Sequence, residues 1–254
     1  MNKEFNKVVL SFHAHPDDAE AWNAGVLKLL KDKGYQINIA TLTAGQLGGC
    51  NMTMEETAMT REAEARNAAA VIGADYYCLG GEDGFLCDTK EMRLKAISLI
   101  RKLKAGVIFT HLSNDYHPDH RVTANIVESA AMISSLETVP VDEKELEITP
   151  LLYHTSPFKL TDPLGNPIAP PHFYVDVSNV IDYKKKMLEY HISQKELVKH
   201  MFKIDDFFSH VLEGNRIFGE HVNVDYAEIY WQHRGGGFQM EPQIQMDLSE
   251  YLVH

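Results

Sequence analysis

The chain has 254 residues, a formal charge of −12, 44% hydrophobic residues and 24% charged residues. This composition is typical of a folded domain and excludes collagen-like, disordered and mucin-like proteins. The acidic balance argues against nucleic-acid binding, because a protein that tracks phosphates needs clustered Lys and Arg. The densest basic run, at residues 184–186, is interpreted as the solvated face of a helix.

Three cysteines, Cys50, Cys78 and Cys87, contain no C-x-x-C pair and indicate reduced thiols rather than a disulfide framework or a cysteine zinc site. Residues 1–12 carry charges among apolar side chains, which argues against a signal peptide. No segment approaches the roughly 18 apolar residues of a membrane span. We therefore expect a cytoplasmic protein that binds neither membranes nor nucleic acid.

The first half of the chain alternates short apolar runs with segments of helical period. Strands are predicted at residues 8–12, 37–43, 76–79 and 107–110. Helices are predicted from Ala19, after the Thr53-x-x-Glu56 capping box, over residues 92–103 and from His120. Four successive βα units indicate an α/β fold with a Rossmann-like parallel sheet and helices on both faces.

The second half is less regular. Its predicted elements are an apolar run at 151–153, a Pro-rich loop at 157–171, a strand at 173–177 and a long helix at about 179–202. No Ser-rich, Gly-rich or charged linker separates the halves, so we predict one domain over residues 1–254. A βα core covers about 1–135, and a C-terminal α/β elaboration covers about 136–254, where the loops at 136–172 are expected to shape specificity.

Two strand-to-helix loops carry the triplet His-Pro-Asp. The sequence HAHPDD spans residues 13–18, and HPDH spans residues 117–120. Ligands of an open parallel sheet bind outside the carboxyl ends of its strands, so both loops are expected at one binding edge. Catalytic zinc usually takes three protein ligands and leaves a fourth position for water. We predict a zinc site held by His15, Asp18 and His120.

The remaining polar residues of these loops suggest acid–base chemistry. A carboxylate beside a metal can deprotonate water and deliver hydroxide to a carbonyl, which is the predicted role of Asp17. His117 is placed to donate to the oxyanion or to the leaving amine. The alternative for Asp17 and Asp18 is helix capping and a favourable charge at the helix dipole, and Asp119 has the same alternative. His13 is a spare ligand or, as its strand position favours, a core residue.

Gly45, Gly48 and Gly49 follow the second predicted strand and are interpreted as a turn that lets a ligand approach. A dinucleotide fold would place G-x-G-x-x-G after the first strand, where this chain has histidine and aspartate. No P-loop or G-x-S-x-G elbow is present.

At AHPDD, residues 14–18, and HPDH, residues 117–120, the chain resembles the PIG-L/LmbE family of zinc-dependent de-N-acetylases. Members of this family remove acetyl groups from substrates that contain N-acetylglucosamine. The resemblance places the zinc ligands on His15, Asp18 and His120, the general base on Asp17 and the oxyanion-stabilising or acid histidine on His117. This agrees with the chemical interpretation of the same residues.

Further matches to the family are less specific. They imply a substrate-facing Arg61 in an R-x-x-E pattern with Glu64, an H-x-S-Q segment at 191–194 and a closing A-E-x-F-like strand at 227–230. Simple packing on a helix face is the alternative for His191. Gln46 stands where the family commonly has Glu. Because the family often forms homo-oligomers, a homo-oligomer is also expected.

The predicted function is therefore zinc-dependent hydrolysis of the N-acetyl group of an N-acetylglucosamine-type sugar or glycoside. Asp119 is expected to orient a nearby imidazole, Tyr116 to close over the site, and Arg61 to contact the sugar. Trp22 and Trp231 are further candidates for sugar contacts, although core packing is favoured for both. A two-His-one-carboxylate Fe(II) oxygenase is one alternative, disfavoured by the α/β pattern. A non-catalytic metal- or sugar-binding module is the other.

Overall fold

A computed structural model describes residues 5–203 and 206–254. Across these residues eight strands form one sheet in the order β3-β2-β1-β4-β5-β7-β6-β8. The strands are β1 (Val8–His13), β2 (Gln36–Thr43), β3 (Asp75–Gly81), β4 (Val107–Thr110), β5 (Leu151–Thr155), β6 (Phe173–Asp176), β7 (Ala227–Gln232) and β8 (Leu252–Val253). Neighbours from β3 to β5 are parallel, whereas β7, β6 and β8 extend the sheet by antiparallel pairing. The predicted parallel α/β core and its C-terminal extension are confirmed.

The helices in the same part of the chain are α1 (Asp18–Trp22), α2 (Ala24–Asp32), α3 (Met54–Ala70), α4 (Lys90–Leu103), α5 (Pro118–Ile133), α6 (Ile181–Glu189), α7 (Ile192–Phe202), α8 (Phe207–Glu220) and α9 (Gln243–Asp247). Short 3₁₀ turns lie at Ser178–Val180 and Ser249–Tyr251. The predicted capping box opens α3, because Thr53 and Glu56 each accept a hydrogen bond from the other's backbone N–H.

Helices cover both faces of the sheet, and β1 shows how the sequence permits this. Val9 packs with α2, α3 and α6, whereas Leu10 and Phe12 pack with α4 and α5. Successive side chains of a strand point to opposite faces, so a strand covered on both sides is apolar throughout. The polar exceptions in β1, Ser11 and His13, are fully buried and lie towards the end of the strand.

Two predicted helices are broken in the structure. The helix predicted from Ala19 divides at Asn23 into α1 and α2, and the helix predicted over 179–202 divides at residues 190–191 into α6 and α7. The prediction of continuous helices was wrong because apolar side chains keep a helical period across both breaks. Helix α8 was not predicted.

The basic run at 184–186 is not uniformly solvated. Lys184 is fully buried and forms an ion pair with Glu228 at 2.8 Å, whereas the side chain of the neighbouring Lys185 is 40% exposed. The interpretation of the run as a solvated face was therefore wrong for Lys184. Burial lowers the pKa of Lys184, and the Glu228 carboxylate opposes that shift.

In the described residues, no helix combines the length and the apolar character needed to cross a membrane. The first four residues of the stretch 1–12, interpreted above as lacking a signal peptide, lie outside the described residues.

Candidate active site

A cavity of about 390 Å³ opens at the carboxyl edge of the parallel strands. The loops after β1, β2, β3, β4 and β5 all contribute to its wall, as do α1, α3 and α7. The predicted residues His15, Asp17, Asp18, Arg61, Tyr116, His117 and His120 line this cavity. The sheet topology thus brings the two His-Pro-Asp loops together, as ligand binding at this edge requires.

Asp18 lies between the two predicted histidine ligands. Its Oδ2 is 3.4 Å from Nδ1 of His15, and its Oδ1 is 3.3 Å from Nε2 of His120. In a tetrahedral site with bonds of about 2.1 Å, neighbouring ligand atoms are about 3.4 Å apart. Each of these two distances therefore matches the spacing of neighbouring zinc ligands, and Oδ2 of Asp18 accepts the backbone N–H of His15 at 2.8 Å.

The other nitrogen of each histidine faces carboxylates. Nδ1 of His120 lies 3.0 Å from Asp115, and Nε2 of His15 lies 3.2 Å from Asp83 and 3.3 Å from Asp119. Such carboxylates fix the ring orientation of metal-ligating histidines and raise their basicity. Burial alone would lower the pKa of His120, but Asp18 and Asp115 outweigh it and raise that pKa to about 9. The cluster therefore attracts positive charge.

Several overlapping groups of side chains in the described residues have ligand spacing. Each places three ligand atoms within 4.8 Å of one another, and none of them contains all three predicted ligands; the groups are His15, His117 and His120; Asp18, His111 and His120; and His15, Asp83 and Asp119. In the second group, Nε2 of His111 accepts the backbone N–H of Ala14 at 3.0 Å. His111 also stacks on His120 with ring centroids 3.8 Å apart, so its geometry is that of a supporting side chain.

Asp17 has an unusual backbone conformation beside the cluster. Its φ of 98° lies in the left-handed region, and its side chain makes no capping hydrogen bond to α1. Nη2 of Arg61 lies 3.5 Å from Oδ2 of Asp17. Burial raises the pKa of Asp17 to about 6, with the Arg61 charge opposing that shift and Asp18 reinforcing it. Such a carboxylate is well suited to accept a proton near neutral pH.

Arg61 is buried and links two loops of the site. It donates to the carbonyl oxygens of Gly45 at 2.9 Å and Pro16 at 2.7 Å. Gly45 has a φ of +65°, and a Cβ there would collide with the guanidinium of Arg61. The glycine turn after β2 therefore makes room for Arg61 at Gly45, rather than for a ligand as predicted. Gly48, by contrast, lines the cavity.

His117 is the N-cap of α5. Its Nδ1 accepts the backbone N–H of Asp119 at 3.2 Å, so the neutral ring carries its proton on Nε2. Burial lowers the pKa of His117 to about 4, with His120 and His15 adding to the effect. His117 is thus a neutral hydrogen-bond donor at the cavity wall.

The other candidates have distinct positions. Asp119 lies behind His15, outside the cavity wall, and accepts the backbone N–H of Gly84 at 2.7 Å. Trp22 lines the cavity, whereas Trp231 donates to backbone carbonyls at 169 and 170 and packs in the C-terminal region. His13 is fully buried between Ser11 and Thr155, each 3.2 Å from one ring nitrogen. Nε2 of Gln46 donates to the Gly81 carbonyl at 3.3 Å.

The segments at 61–64 and 191–194 meet beside the site. Glu64 accepts from the backbone N–H of Ser193 at 2.9 Å and from its hydroxyl at 2.6 Å. His191 is fully buried, with Nε2 3.4 Å from Oε1 of Glu20. Burial opposes protonation of His191, but the Glu20 carboxylate outweighs it and raises the pKa. The segment at 191–194 therefore fixes the start of α7 against α1 and α3.

Three carboxylate or imidazole groups were missed in the sequence. Asp83 lies in the loop after β3 and lines the cavity, and Asp115 and His111 lie in the loop after β4. The signal for Asp83 was its place in a Gly-Glu-Asp-Gly turn, because that turn follows a parallel strand at its carboxyl end. Asp115 and His111 lie in the same loop as HPDH, and their spacing in the sequence does not indicate that they support the proposed ligands.

Part of the chain matches a family model, and most of it aligns with known proteins. Residues 10–131 match the model of the family PIG-L: GlcNAc-PI de-N-acetylase. The chain is 27% identical over 202 residues to a diacetylchitobiose deacetylase of Thermococcus kodakarensis, covering 76% of this chain and 73% of the relative. It is also 26% identical over 232 residues to a 1D-myo-inositol 2-acetamido-2-deoxy-alpha-D-glucopyranoside deacetylase of Actinosynnema mirum. That alignment covers 73% of this chain and 80% of the relative.

A solved structure extends the likeness to the fold. N,N'-diacetylchitobiose deacetylase from Pyrococcus horikoshii superposes with a TM-score of 0.76 at 22% identity, covering 93% of this chain and 87% of that one. The alignment therefore extends well beyond residues 10–131.

Proposed function

We propose that this chain, which carries a PIG-L family domain over residues 10–131, is a zinc-dependent hydrolase that removes the N-acetyl group from an N-acetylglucosamine-type sugar or glycoside. The products are acetate and a free amine. The observation that carries the proposal is the position of Asp18 between His15 and His120, with Asp17 beside them on the same cavity wall. The deacetylases among the relatives support the same reaction class.

His15 would hold the metal through Nδ1, His120 through Nε2, and Asp18 through its carboxylate. A bound zinc ion would supply Lewis acidity, which polarises the acetyl carbonyl and makes water more acidic. Asp115 keeps His120 in the orientation that turns Nε2 towards Asp18, while Asp83 and Asp119 do the same for His15.

Asp17 acts as the general base. Its carboxylate takes a proton from the attacking water, whose oxygen forms the new bond to the acetyl carbon. When the C–N bond breaks, the same proton returns to the amine nitrogen, so the base is regenerated. Arg61 holds the Asp17 loop through the Pro16 carbonyl, and its charge lowers the pKa of Asp17 against the effect of burial.

His117 stabilises the oxyanion of the tetrahedral intermediate. Its Nδ1 is occupied as an acceptor, so Nε2 is the atom that donates. A neutral ring is a donor but a poor proton source at neutral pH, which assigns the return of the proton to Asp17 rather than to His117. Tyr116, about half-exposed at the cavity, is placed to cover bound substrate.

The βα core and the C-terminal elaboration form one functional unit in this proposal. The cavity wall includes Phe158, Gln194 and Leu197 from the second half of the chain, and β5 and β7 belong to the same sheet as β1. A homo-oligomer, a cytoplasmic location and the lack of nucleic-acid binding stay predictions.

Acetate release from metal-stripped protein, with and without added zinc, tests the proposal. N-acetylglucosamine and its β-linked dimer are the first substrates. We expect acetate that depends on zinc and is stoichiometric with free amine. Stoichiometric zinc binding without acetate from a broad panel of N-acetyl sugars would favour a non-catalytic binding module. Oxygen consumption with Fe(II) and a 2-oxoacid would instead favour an oxygenase.

A further inference from the structure

One side of the cavity is apolar and continuous with the metal cluster. Leu197, Val198 and Met201 of α7 line it, together with Leu47, Trp22 and Phe158. Three aromatic rings connect this wall to the metal ligands. The ring of Tyr116 lies 5.6 Å from that of His120, Phe158 lies 6.3 Å from Tyr116, and Trp22 lies 6.0 Å from Phe158.

The wall is partly solvated where it opens. Met201 is 59% exposed and Leu47 is 47% exposed, whereas Val198 and Trp22 are buried. Leu197 reaches deeper, because its Cδ2 lies 3.2 Å from the position that a Cβ of Gly48 would take, beside the Arg61 guanidinium. Half-exposed aliphatic side chains in a cavity lose their contact with water only when a ligand covers them.

The aliphatic residues of the wall cannot satisfy sugar hydroxyls. A hydroxyl placed against Leu197 or Met201 would lose its hydrogen bonds to water without replacement, which costs binding free energy. Most of the groups that can bind hydroxyls, including Asp83 and the imidazoles, lie at the metal cluster, and the exceptions on the cavity wall include Tyr116 and Gln194. An N-acetylated sugar ring at the cluster would therefore direct an apolar substituent, rather than a second sugar, along the wall.

From this geometry we infer that the preferred substrate of the proposed deacetylase is an N-acetylglucosamine glycoside with an apolar aglycone, and that Met201 and Leu197 determine this preference. The inference rests on the proposed function for the position of the sugar ring. It adds the class of aglycone and the residues that select it.

The test compares methyl, butyl and hexyl β-glycosides of N-acetylglucosamine with the β-linked disaccharide. Burying a methylene group contributes at most roughly a fourfold gain in kcat/KM. We expect kcat/KM for the hexyl glycoside to exceed that for the methyl glycoside at least about tenfold, through KM rather than kcat. The disaccharide should show no comparable gain over the methyl glycoside.

Met201→Ser should reduce the hexyl-to-methyl ratio of kcat/KM, because it replaces apolar wall surface with a hydroxyl. Met246→Ser is the matched control, since Met246 is 64% exposed on α9 and is not part of the cavity wall. An equal ratio for the wild type, Met201→Ser and Met246→Ser would overturn the inference. So would a preference for an N-hexanoyl over an N-acetyl methyl glycoside, because the apolar group would then lie on the acyl side.

Calorimetric binding of the same glycosides separates this inference from the proposed function. Zinc-dependent acetate release without any gain from the hexyl chain would retain the function and reject the apolar subsite. Tighter binding of the hexyl glycoside, lost in Met201→Ser but without acetate release, would retain the subsite and reject the deacetylase.

Discussion

Oδ1 of Asp115 lies 3.0 Å from Nδ1 of His120 and also accepts the backbone N–H of His117 at 2.8 Å. One carboxylate therefore orients His120, a proposed metal ligand, and fixes the backbone of His117, the proposed oxyanion donor. Burial opposes ionisation of Asp115, but the hydrogen bond and charge of His120, the charge of His111 and the backbone N–H of His117 together outweigh it and lower the pKa. Asp115 thus remains a carboxylate at neutral pH and supports His120 without reaching the cavity.

Replacing Asp115 should weaken metal binding. We expect Asp115→Ala to lower zinc affinity by about 10- to 100-fold, because His120 loses the partner that fixes its ring and raises its basicity. Competition with a chromophoric chelator measures the affinity. Asp142→Ala is the control, since Asp142 is exposed and is not part of the cavity wall. An unchanged affinity for Asp115→Ala would show that His120 needs no such support.

Asp17 and His120 should separate catalysis from metal binding. Asn tolerates a positive φ, so Asp17→Asn should keep the backbone at 98° and retain zinc, while turnover falls by roughly 10²- to 10⁴-fold. His120→Ala should lose both zinc and turnover. Metal content after gel filtration and acetate release are measured on the same samples. Equal zinc loss in the two variants would contradict the proposed division between ligand and base.

The meeting of the two His-Pro-Asp loops could be predicted because both motifs follow strands, and parallel strands present their carboxyl ends at one edge. The residues that support this site and its neighbouring helices could not be predicted, because their contacts join distant parts of the sequence. Glu228 illustrates the reason: it accepts the backbone N–H groups of Gly25 at 3.0 Å and Val26 at 2.8 Å, from more than 200 residues away in sequence. These bonds cap the start of α2, immediately after the break between α1 and α2. Local periodicity in the sequence does not reveal that break.

The same limit explains Lys184. A run of three lysines is normally solvated, and only the position of Glu228 on β7 makes a buried lysine tolerable. Glu228 also accepts the hydroxyl of Tyr230 at 2.8 Å, so it satisfies donors from α2, α6 and β7 together. The family resemblance implied the strand at 227–230, but the sequence contained no signal for this network.

Lys184 and its neighbour provide a matched test of that network. We expect Lys184→Met to reduce the free energy of unfolding by about 3–5 kcal/mol, because Glu228 stays buried without its cationic partner. Lys185→Met should change it by less than about 0.5 kcal/mol, since the Lys185 side chain is 40% exposed and its ion pair with Asp182 lies at the surface. Urea denaturation measures both. The double variant Lys184→Met/Glu228→Gln should recover part of the loss; equal effects of the two single variants would disprove the burial argument.

His154 on β5 should make the fold sensitive to acid. Its Nδ1 donates to the His111 carbonyl at 2.7 Å, and its Nε2 lies 3.2 Å from Nδ1 of His233. Burial lowers the pKa of His154 to about 4; the hydrogen bond to His111 opposes this shift, and His233 adds to it. The unfolded chain takes up the proton near pH 6.5, before the folded chain does, so stability falls as the pH drops from about 6.5 to about 4.

The size of this effect can be isolated with His154→Asn, which keeps a donor for the His111 carbonyl but does not titrate. Relative to this variant, the wild type should lose on the order of 3 kcal/mol of unfolding free energy between pH 7 and pH 4. Urea denaturation across that range, at constant zinc content, measures the unfolding free energy of both proteins. Because the other buried histidines are the same in both, their contributions cancel in the difference. His221→Asn, at an exposed position, is the control and should follow the wild type. A difference between wild type and His154→Asn that does not change with pH would mean that His154 is protonated equally in the folded and unfolded chains.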